Sequence, residues 1–564
     1  MIFCYDKAMD VHQKWFRSFS LSKEYNFLKQ HPVVYFCTEY ALNSKMPMAG
    51  GLGVLASDTV KEAYDRQFPM VAIALFYRKG YKTISGPTED RIITPQEFGL
   101  KPALNSLGER VAVTVPLEKG EVTVKAWIAS DKTIPIYFLD TNNEENEPWA
   151  SEICEYLYVG DRNLRIMQEI ILGVGGVRFI RALGIEPSIY HMNDSYSAFL
   201  IFELARAIME KQKLPFKKAM ELSRNKVAYT NHTLVAMGND AYRTETIENN
   251  LENYARPYNF SAKDLLIYGH VSGENKFSMT MMALKTAGVI NCVSRFHGEE
   301  AREIWPEFEI SSITNGIHLP TWDKISTPED IISSHKENKR ELLEIMNKET
   351  GDAWREDELL ICWAKRIVSY KRPLSLFSDI KRLSQIVKDE KRPVRLIFAG
   401  VPHYSDKHGI EMMEKIKGYA QNELREHLAY IDNYSVDVAA KLVSGSDVWL
   451  NTPKVGWEAC GTSTMKAALN GCLNCSTKDG WLAEVGLNKI GWEIQDSNVG
   501  EDILDLLEHH IVPCYYANDS RNEISIENWE SKMKTGRNLV LEDFSTSRML
   551  KEYIEKLYLP PIEK

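Results

Sequence analysis

Short apolar runs that alternate with longer amphipathic patterns limit the fold of this chain more than any other feature. In the second half, ELLICWAKR from Glu358, PVRLIFAGV from Pro393, LAYIDN from Leu428 and VWLNTP from Val448 each read as a buried strand. Helical patterns separate them: PLSLFSDIKRLSQIVKDE from Pro373, a stretch from Gly409 to His427, and one from Ser435. Such a strand–helix–strand succession predicts an α/β fold with a doubly wound parallel sheet. The first half is less regular but similar. PVVYFCTEY from Pro32, MVAIALFY from Met70, VTVKAWIAS from Val122, IPIYFLD from Ile134, SIYHMND from Ser188 and VAYTNHT from Val227 read as strands, and LRIMQEIILGVGGVRFIRALG from Leu164 as a long helix. A second parallel sheet is expected there.

At 564 residues the chain exceeds what one core organises. The expected division is an N-terminal domain over 1–325 and a C-terminal domain over 326–544. Hinge material lies in LPTWDKISTPE, from Leu319 to Glu329, and the helical pattern within 545–564 crosses back to the first half. Ligands of such sheets bind beyond the carboxyl ends of the strands, so two facing sheets enclose a cleft there.

Composition narrows the partners. A net charge of −10 argues against a nucleic-acid binder and leaves a neutral polymer open. No run approaches the ~20 apolar residues of a membrane span. The N-terminus, MIFCYDKAMDVHQKW, has no basic region followed by an apolar core, so no signal peptide is expected. Nine cysteines, mostly scattered singly, fit a reducing cytoplasm. Cys472 and Cys475 have metal-like spacing without a second pair nearby, so they read as strand packing and no metal is expected.

Several motifs fall at or soon after predicted strand ends. Gly50-Gly51-Leu52-Gly53 lets backbone amides approach a ligand, and equally serves as a plain helix start. Asn231-His232-Thr233 offers donors and acceptors for sugar hydroxyls or a proton. Asn315, Gly316 and Trp322 form another group, in which the indole either stacks on a flat ring or belongs to the core. Lys365, Arg366, Lys371 and Arg372 cluster after one strand with no carboxylate nearby in sequence, which points to anion binding. Tyr434 follows another strand. The strongest motif is EACGTSTMKAALN, from Glu458 to Asn470. Gly461, Thr462 and Ser463 would open a buried helix with free N–H groups, an anion site. Lys466, one turn further in among apolar residues, is placed in a setting that favours the neutral amine.

Together these segments resemble the α-glucan phosphorylases, the glycogen and starch phosphorylase family, from about Val34 to Glu484. KRIxxYKR and EAxGTxxMK are the specific motifs, and GVGGVRFIRALG is similar to the bacterial short type. The resemblance implies the two-domain GT-B architecture, with an N-terminal Rossmann-like glucan-binding domain and a C-terminal one for pyridoxal 5′-phosphate (PLP) and phosphate. It implies PLP on Lys466 as a Schiff base, its phosphate held by Gly461, Thr462, Ser463 and Lys365, with Tyr434, Trp322 and Gly51 against the cofactor. Arg366 and Lys371 would bind orthophosphate. Leu52, His232, Asn315, Glu458, Cys460 and Gly461 would meet the glucosyl unit, with Cys460 standing where the family usually has Ser.

The implied reaction is phosphorolysis of an α-1,4-glucan to α-D-glucose 1-phosphate with retention, the cofactor phosphate relaying a proton. Long-form enzymes carry more at both ends, including the region used for phosphorylation and nucleotide control, so no such control is expected. A homodimer is the assembly to consider. Two other readings stay open: a nucleotide-sugar glycosyltransferase of glycogen-synthase type, which would not need Lys466, and a glucan-binding protein without catalysis.

Overall fold

The computed structural model describes residues 28–43, 46–81, 92–234, 239, 241–258, 260–271, 273–432, 434–517 and 523–559. The N-terminal stretch read for a signal peptide lies outside the described residues, as do 560–564. Two large sheets organise the chain. The second is all parallel, in the order Leu428–Ile431, Val394–Ala399, Leu359–Ala364, Val448–Asn451, Leu473–Thr477, Gly491–Ile494. Leu359–Ala364, Val394–Ala399 and Val448–Asn451 are buried nearly throughout, which is why each reads as a short, largely apolar run rather than an alternating one. The strand order reverses between Leu359–Ala364 and Val448–Asn451, and a crevice opens beyond their ends.

The first sheet departs from the expected parallel one. Its parallel part runs Ile310–Ser312, Val289–Cys292, Val227–Asn231, Ile189–Asn193, Val33–Phe36, Met70–Leu75, Ile136–Asp140. The predicted strand from Val122, observed as Gly120–Ala129, is antiparallel to Ile136–Asp140 and forms a hairpin with Ala112–Leu117. Only residues 130–135 join it to Ile136–Asp140, too few for the crossover of a dozen or more residues that a parallel partner needs. The short strands Val289–Cys292 and Ile310–Ser312 have no clear apolar run and are not visible in the sequence.

Two helix readings also change. The pattern from Leu164 begins at Arg162, where Asp161 caps it by accepting from Leu164 N at 2.9 Å. It then loosens into a π-turn at Ile171–Gly175 before continuing as Gly176–Ala182. Gly173 sits in that turn with no room for a side chain: a Cβ would lie 2.7 Å from Leu200 N. The pattern Gly409–His427 is helical only over Lys407–Gln421. Cys472 and Cys475 pack into different apolar clusters and cannot face a common ion. Among the described residues no group of three or more His, Cys, Asp and Glu is placed to hold a metal, and no helix is long and apolar enough to cross a membrane.

The chain passes between the two sheets twice, and the two crossings touch. Ile317 N donates to Phe544 O at 3.0 Å, and Thr546 N donates to Ile317 O at 2.9 Å. The helix Thr546–Tyr553 and the turn Ile554–Tyr558 then lie on the first sheet's layer, against helix Gly51–Asp65. There the Tyr558 hydroxyl bonds His191 Nδ1 at 2.9 Å, His191 Nε2 bonds Thr230 Oγ1 at 2.7 Å, and Thr230 donates to Asn291 Oδ1 at 2.7 Å. Burial pushes the His191 imidazolium down to about 3, so the ring is neutral.

Gly316 fits this crossing because it has no side chain: a Cβ would lie 2.2 Å from Ser545 O. Gly316→Ala is expected to destabilise the protein by about 2 kcal/mol or more, read as a lower urea midpoint at unchanged slope. Gly418→Ala, whose Cβ would meet nothing within 4 Å inside helix Lys407–Gln421, should instead be neutral or stabilising by up to about 1 kcal/mol.

A candidate active site between the two sheets

Carboxyl-end loops of both sheets line one cleft of about 1080 Å³. Glu39, Asp194, His232 and Asn315 reach it from the first sheet, Lys365, Arg366 and the loop from Trp457 to Ser463 from the second. The residues that the resemblance assigns to a site line it: Lys466, Lys365, Arg366, Lys371, Gly461, Thr462, Ser463, Tyr434, Trp322, Gly51, Leu52, His232, Asn315, Glu458 and Cys460; of the other motif residues, Gly53, Asn231, Gly316 and Arg372 do not.

Helix Thr462–Leu469 opens at Gly461, whose φ of 80° is a left-handed conformation that suits glycine. Gly461, Thr462 and Ser463 are half-buried and line the cleft, while Thr464 to Leu469 are buried. Lys365 Nζ donates to Ser463 Oγ at 2.8 Å. Burial, then the charge of Lys371, pushes the Lys365 ammonium down to about 7. Amides, hydroxyls and a lysine thus converge on one anion position. Lys466 is 6 % exposed, with Nζ 3.9 Å from the centre of the Trp322 ring. Burial pushes its amine down to about 8, and Asp58 resists that shift. The setting is less apolar than the sequence around Lys466 suggests, because Asp58 arrives from helix Gly51–Asp65.

That helix starts at the opposite wall. A Cβ on Gly50 or Gly51 would meet nothing within 4 Å, so the space before their backbone belongs to the cleft. Gly53 differs: its Cβ would lie 2.9 Å from Glu39 Cγ.

The basic turn corrects the sequence reading. Lys371 and Arg372 do have carboxylate partners, supplied by distant segments: Lys371 Nζ pairs with Glu458, and Arg372 pairs with Asp496. Burial disfavours the Lys371 ammonium, but Glu458 outweighs it and raises it above the ordinary lysine value. Burial would likewise raise the Glu458 carboxyl; Lys371, then Lys365, hold it below the usual range. Arg372 also donates to Thr452 O at 2.9 Å and so ties the turn to the end of Val448–Asn451 rather than facing a ligand. Arg366 remains open to the cleft. Near its guanidinium stand Tyr370, Tyr81, Tyr158 and Glu39.

Several acids at or behind the cleft were not singled out in the sequence: Glu39, Asp194, Asp406 and Asp432 line it, and Asp58 and Asp479 lie behind it. Glu39 accepts from Ala49 N at 2.8 Å and from the Tyr158 hydroxyl at 3.0 Å, and burial pushes its carboxyl up to about 7. Its position directly after a strand was the available signal. Asp479 accepts from Trp457 N at 3.2 Å, Glu458 N at 2.9 Å and Gly480 N at 2.8 Å, and so fixes the loop that carries Glu458. Only the fold brings it there.

On the first-sheet wall of the cleft, His232 is kept neutral by burial, its imidazolium pushed down to about 3. Its Nε2 donates to Asn193 Oδ1 at 2.6 Å, which leaves Nδ1 as an acceptor. The buried Asn315 Oδ1 has no hydrogen-bond partner among the described residues. Cys460 is buried beside it, its thiol raised by burial.

Comparison with known proteins gives a consistent result. A family model described as carbohydrate phosphorylase matches residues 161–256 and 319–496. The maltodextrin phosphorylase of Thermococcus litoralis is 31% identical, the match covering 98% of this chain and 72% of that protein. The glycogen phosphorylase of Aquifex aeolicus is 32% identical, covering 95% and 87%. That of Mycobacterium tuberculosis is 31% identical, covering 94% and 71%.

Glu39 generates a prediction with a defined sign. Its folded value of about 7 stands above the ordinary 4.5, so the folded protein holds a proton that the unfolded chain releases between those values. Stability contributed by this group is therefore lost as pH rises through that window. Glu39→Gln should raise stability relative to the parent by up to about 3 kcal/mol at pH 8 and by little at pH 4, read from denaturant midpoints at both.

Proposed function

The chain belongs to the carbohydrate phosphorylase family, and we propose that it carries out PLP-dependent phosphorolysis of α-1,4-glucans such as glycogen, starch or maltodextrin, releasing α-D-glucose 1-phosphate with retention of configuration. The observation that carries this reading is the pair of adjacent anion positions in the cleft. One is the helix start at Gly461 to Ser463 with Lys365; the other is the space before Arg366 and Lys371. In architectural terms the reading is GT-B, with Rossmann-like domains over 1–325 and 326–544 and the segment after 544 packed back on the first. The compartment proposed is the cytoplasm.

The residues fit PLP. Lys466 supplies a buried amine, the Gly461–Ser463 helix start and Lys365 a phosphate ledge, Trp322 and Tyr434 flat walls, and Gly50 and Gly51 open volume. When bound, PLP supplies a phosphate group that can exchange a proton with orthophosphate. The chain's own residues do the rest. Arg366 and Lys371 hold orthophosphate against the repulsion of a second phosphate, which at close range needs several cations to offset it. Lys365, near the midpoint of its titration, regains its proton when an anion joins it.

Glu458 is held as a carboxylate by Lys371 and offers an acceptor to a glucosyl hydroxyl. His232 Nδ1 accepts another, and its backbone carbonyl faces positive charge that develops on the sugar. Being neutral, the His232 ring is not a proton donor in this scheme. Asn315, which lines the cleft, offers its side-chain amide to a sugar hydroxyl.

Maltooligosaccharides with orthophosphate should yield glucose 1-phosphate, and borohydride reduction followed by peptide mapping should place the cofactor on Lys466. Absence of both would end this reading. Arg366→Ala is expected to lose about 3 kcal/mol or more of transition-state stabilisation in kcat/KM for phosphate, with cofactor absorbance retained.

A further inference from the structure

Asp58 is a buried charge that the reaction above does not use. It is 2 % exposed in helix Gly51–Asp65 and faces helix Thr462–Leu469 across Trp322. Trp322 Nε1 donates to both of its oxygens at 2.9 Å. The same indole turns its face to Lys466, with Nζ 3.9 Å from the ring centre. Three distant segments therefore build one stack of carboxylate, indole and amine. An aromatic face carries partial negative charge and attracts a cation; an acceptor on the indole N–H increases that charge.

The carboxylate and the ammonium also support one another. Burial raises the Asp58 carboxyl, and Lys466 is the first charge to oppose it; burial lowers Lys466, and Asp58 is the first charge to oppose that. Other titratable groups facing the pair include Lys61, on the helix of Asp58, and His318, whose Nε2 bonds Asp65 Oδ2 at 2.9 Å and lies 3.9 Å from Glu62 Oε2.

We propose that Asp58 is the positioning residue for Lys466: it orients the Trp322 indole under the amine and supplies the nitrogen with its counter-charge. This rests on the reading that Lys466 is the cofactor lysine. A nitrogen so held stays aimed along one direction and keeps its positive charge over a wider pH range than its burial alone permits. Removing the acid frees both.

The test is titration of the Lys466 amine in the full-length chain, cleared of bound carbonyl compounds with hydroxylamine. Competitive acetylation across pH, mapped to the peptide containing Lys466, gives the midpoint. Asp58→Asn keeps an acceptor for the indole N–H and removes the charge, so the midpoint should fall by about one pH unit or more. An unchanged or higher midpoint overturns the proposal. Trp322→Phe provides a second measurement. Without that donor the Asp58 carboxyl is pushed further up and shields the amine less, so the midpoint should again fall; constancy there also overturns it. Cofactor labelling of the parent is scored separately. Pyridoxal phosphate attached to another lysine, together with a lowered midpoint in Asp58→Asn, removes the cofactor reading and leaves the charge pair standing. Labelling of Lys466 with no shift removes the charge pair alone.

Discussion

Four cationic side chains from the second sheet's side face one cleft, and the arrangement of that wall follows from keeping them close together. Each has its repulsion relieved differently. Lys365 is pressed toward its neutral form and leans on the Ser463 hydroxyl. Lys371 takes Glu458 as a partner. Arg366 stays exposed in the cleft, near the Tyr81, Tyr158 and Tyr370 hydroxyls and Glu39. Lys466 lies over an indole backed by Asp58. Such a site is ready for negative charge without being an open field of unbalanced cations, since buried unpaired charge is costly.

The anions that balance these cations come from elsewhere in the chain, which explains what the sequence disclosed and what it withheld. Lys365, Arg366 and Lys371 stand together in one turn, and Gly461, Ser463 and Lys466 in another, so local spacing exposes them. Glu458 was visible for the same reason. Its partnership with Lys371, 87 residues away, was not, because it depends on two strand ends meeting at the reversal of the second sheet. Asp58 sits inside an apolar stretch that reads as an ordinary helix, and its target lies on another helix more than 400 residues on.

The same distinction holds for the fold. Strands buried on both faces declared themselves as apolar runs. The strands Val289–Cys292 and Ile310–Ser312 are too short to show a pattern. The antiparallel turn of Gly120–Ala129 followed from loop length, which was available but outweighed by the parallel habit of the rest. The π-turn at Ile171–Gly175 is marked by its glycines, though their spacing alone does not distinguish close packing from a loop.

The return of the last helix to the first sheet has a consequence for how the molecule is made. On the ribosome the strands holding His191, Thr230 and Asn291 emerge hundreds of residues before Tyr558. Until then the His191 ring has no hydroxyl on its Nδ1 side, and Gly316 has no Ser545 backbone against it. The half that is synthesised first is therefore finished only after the segment around Tyr558 has been made.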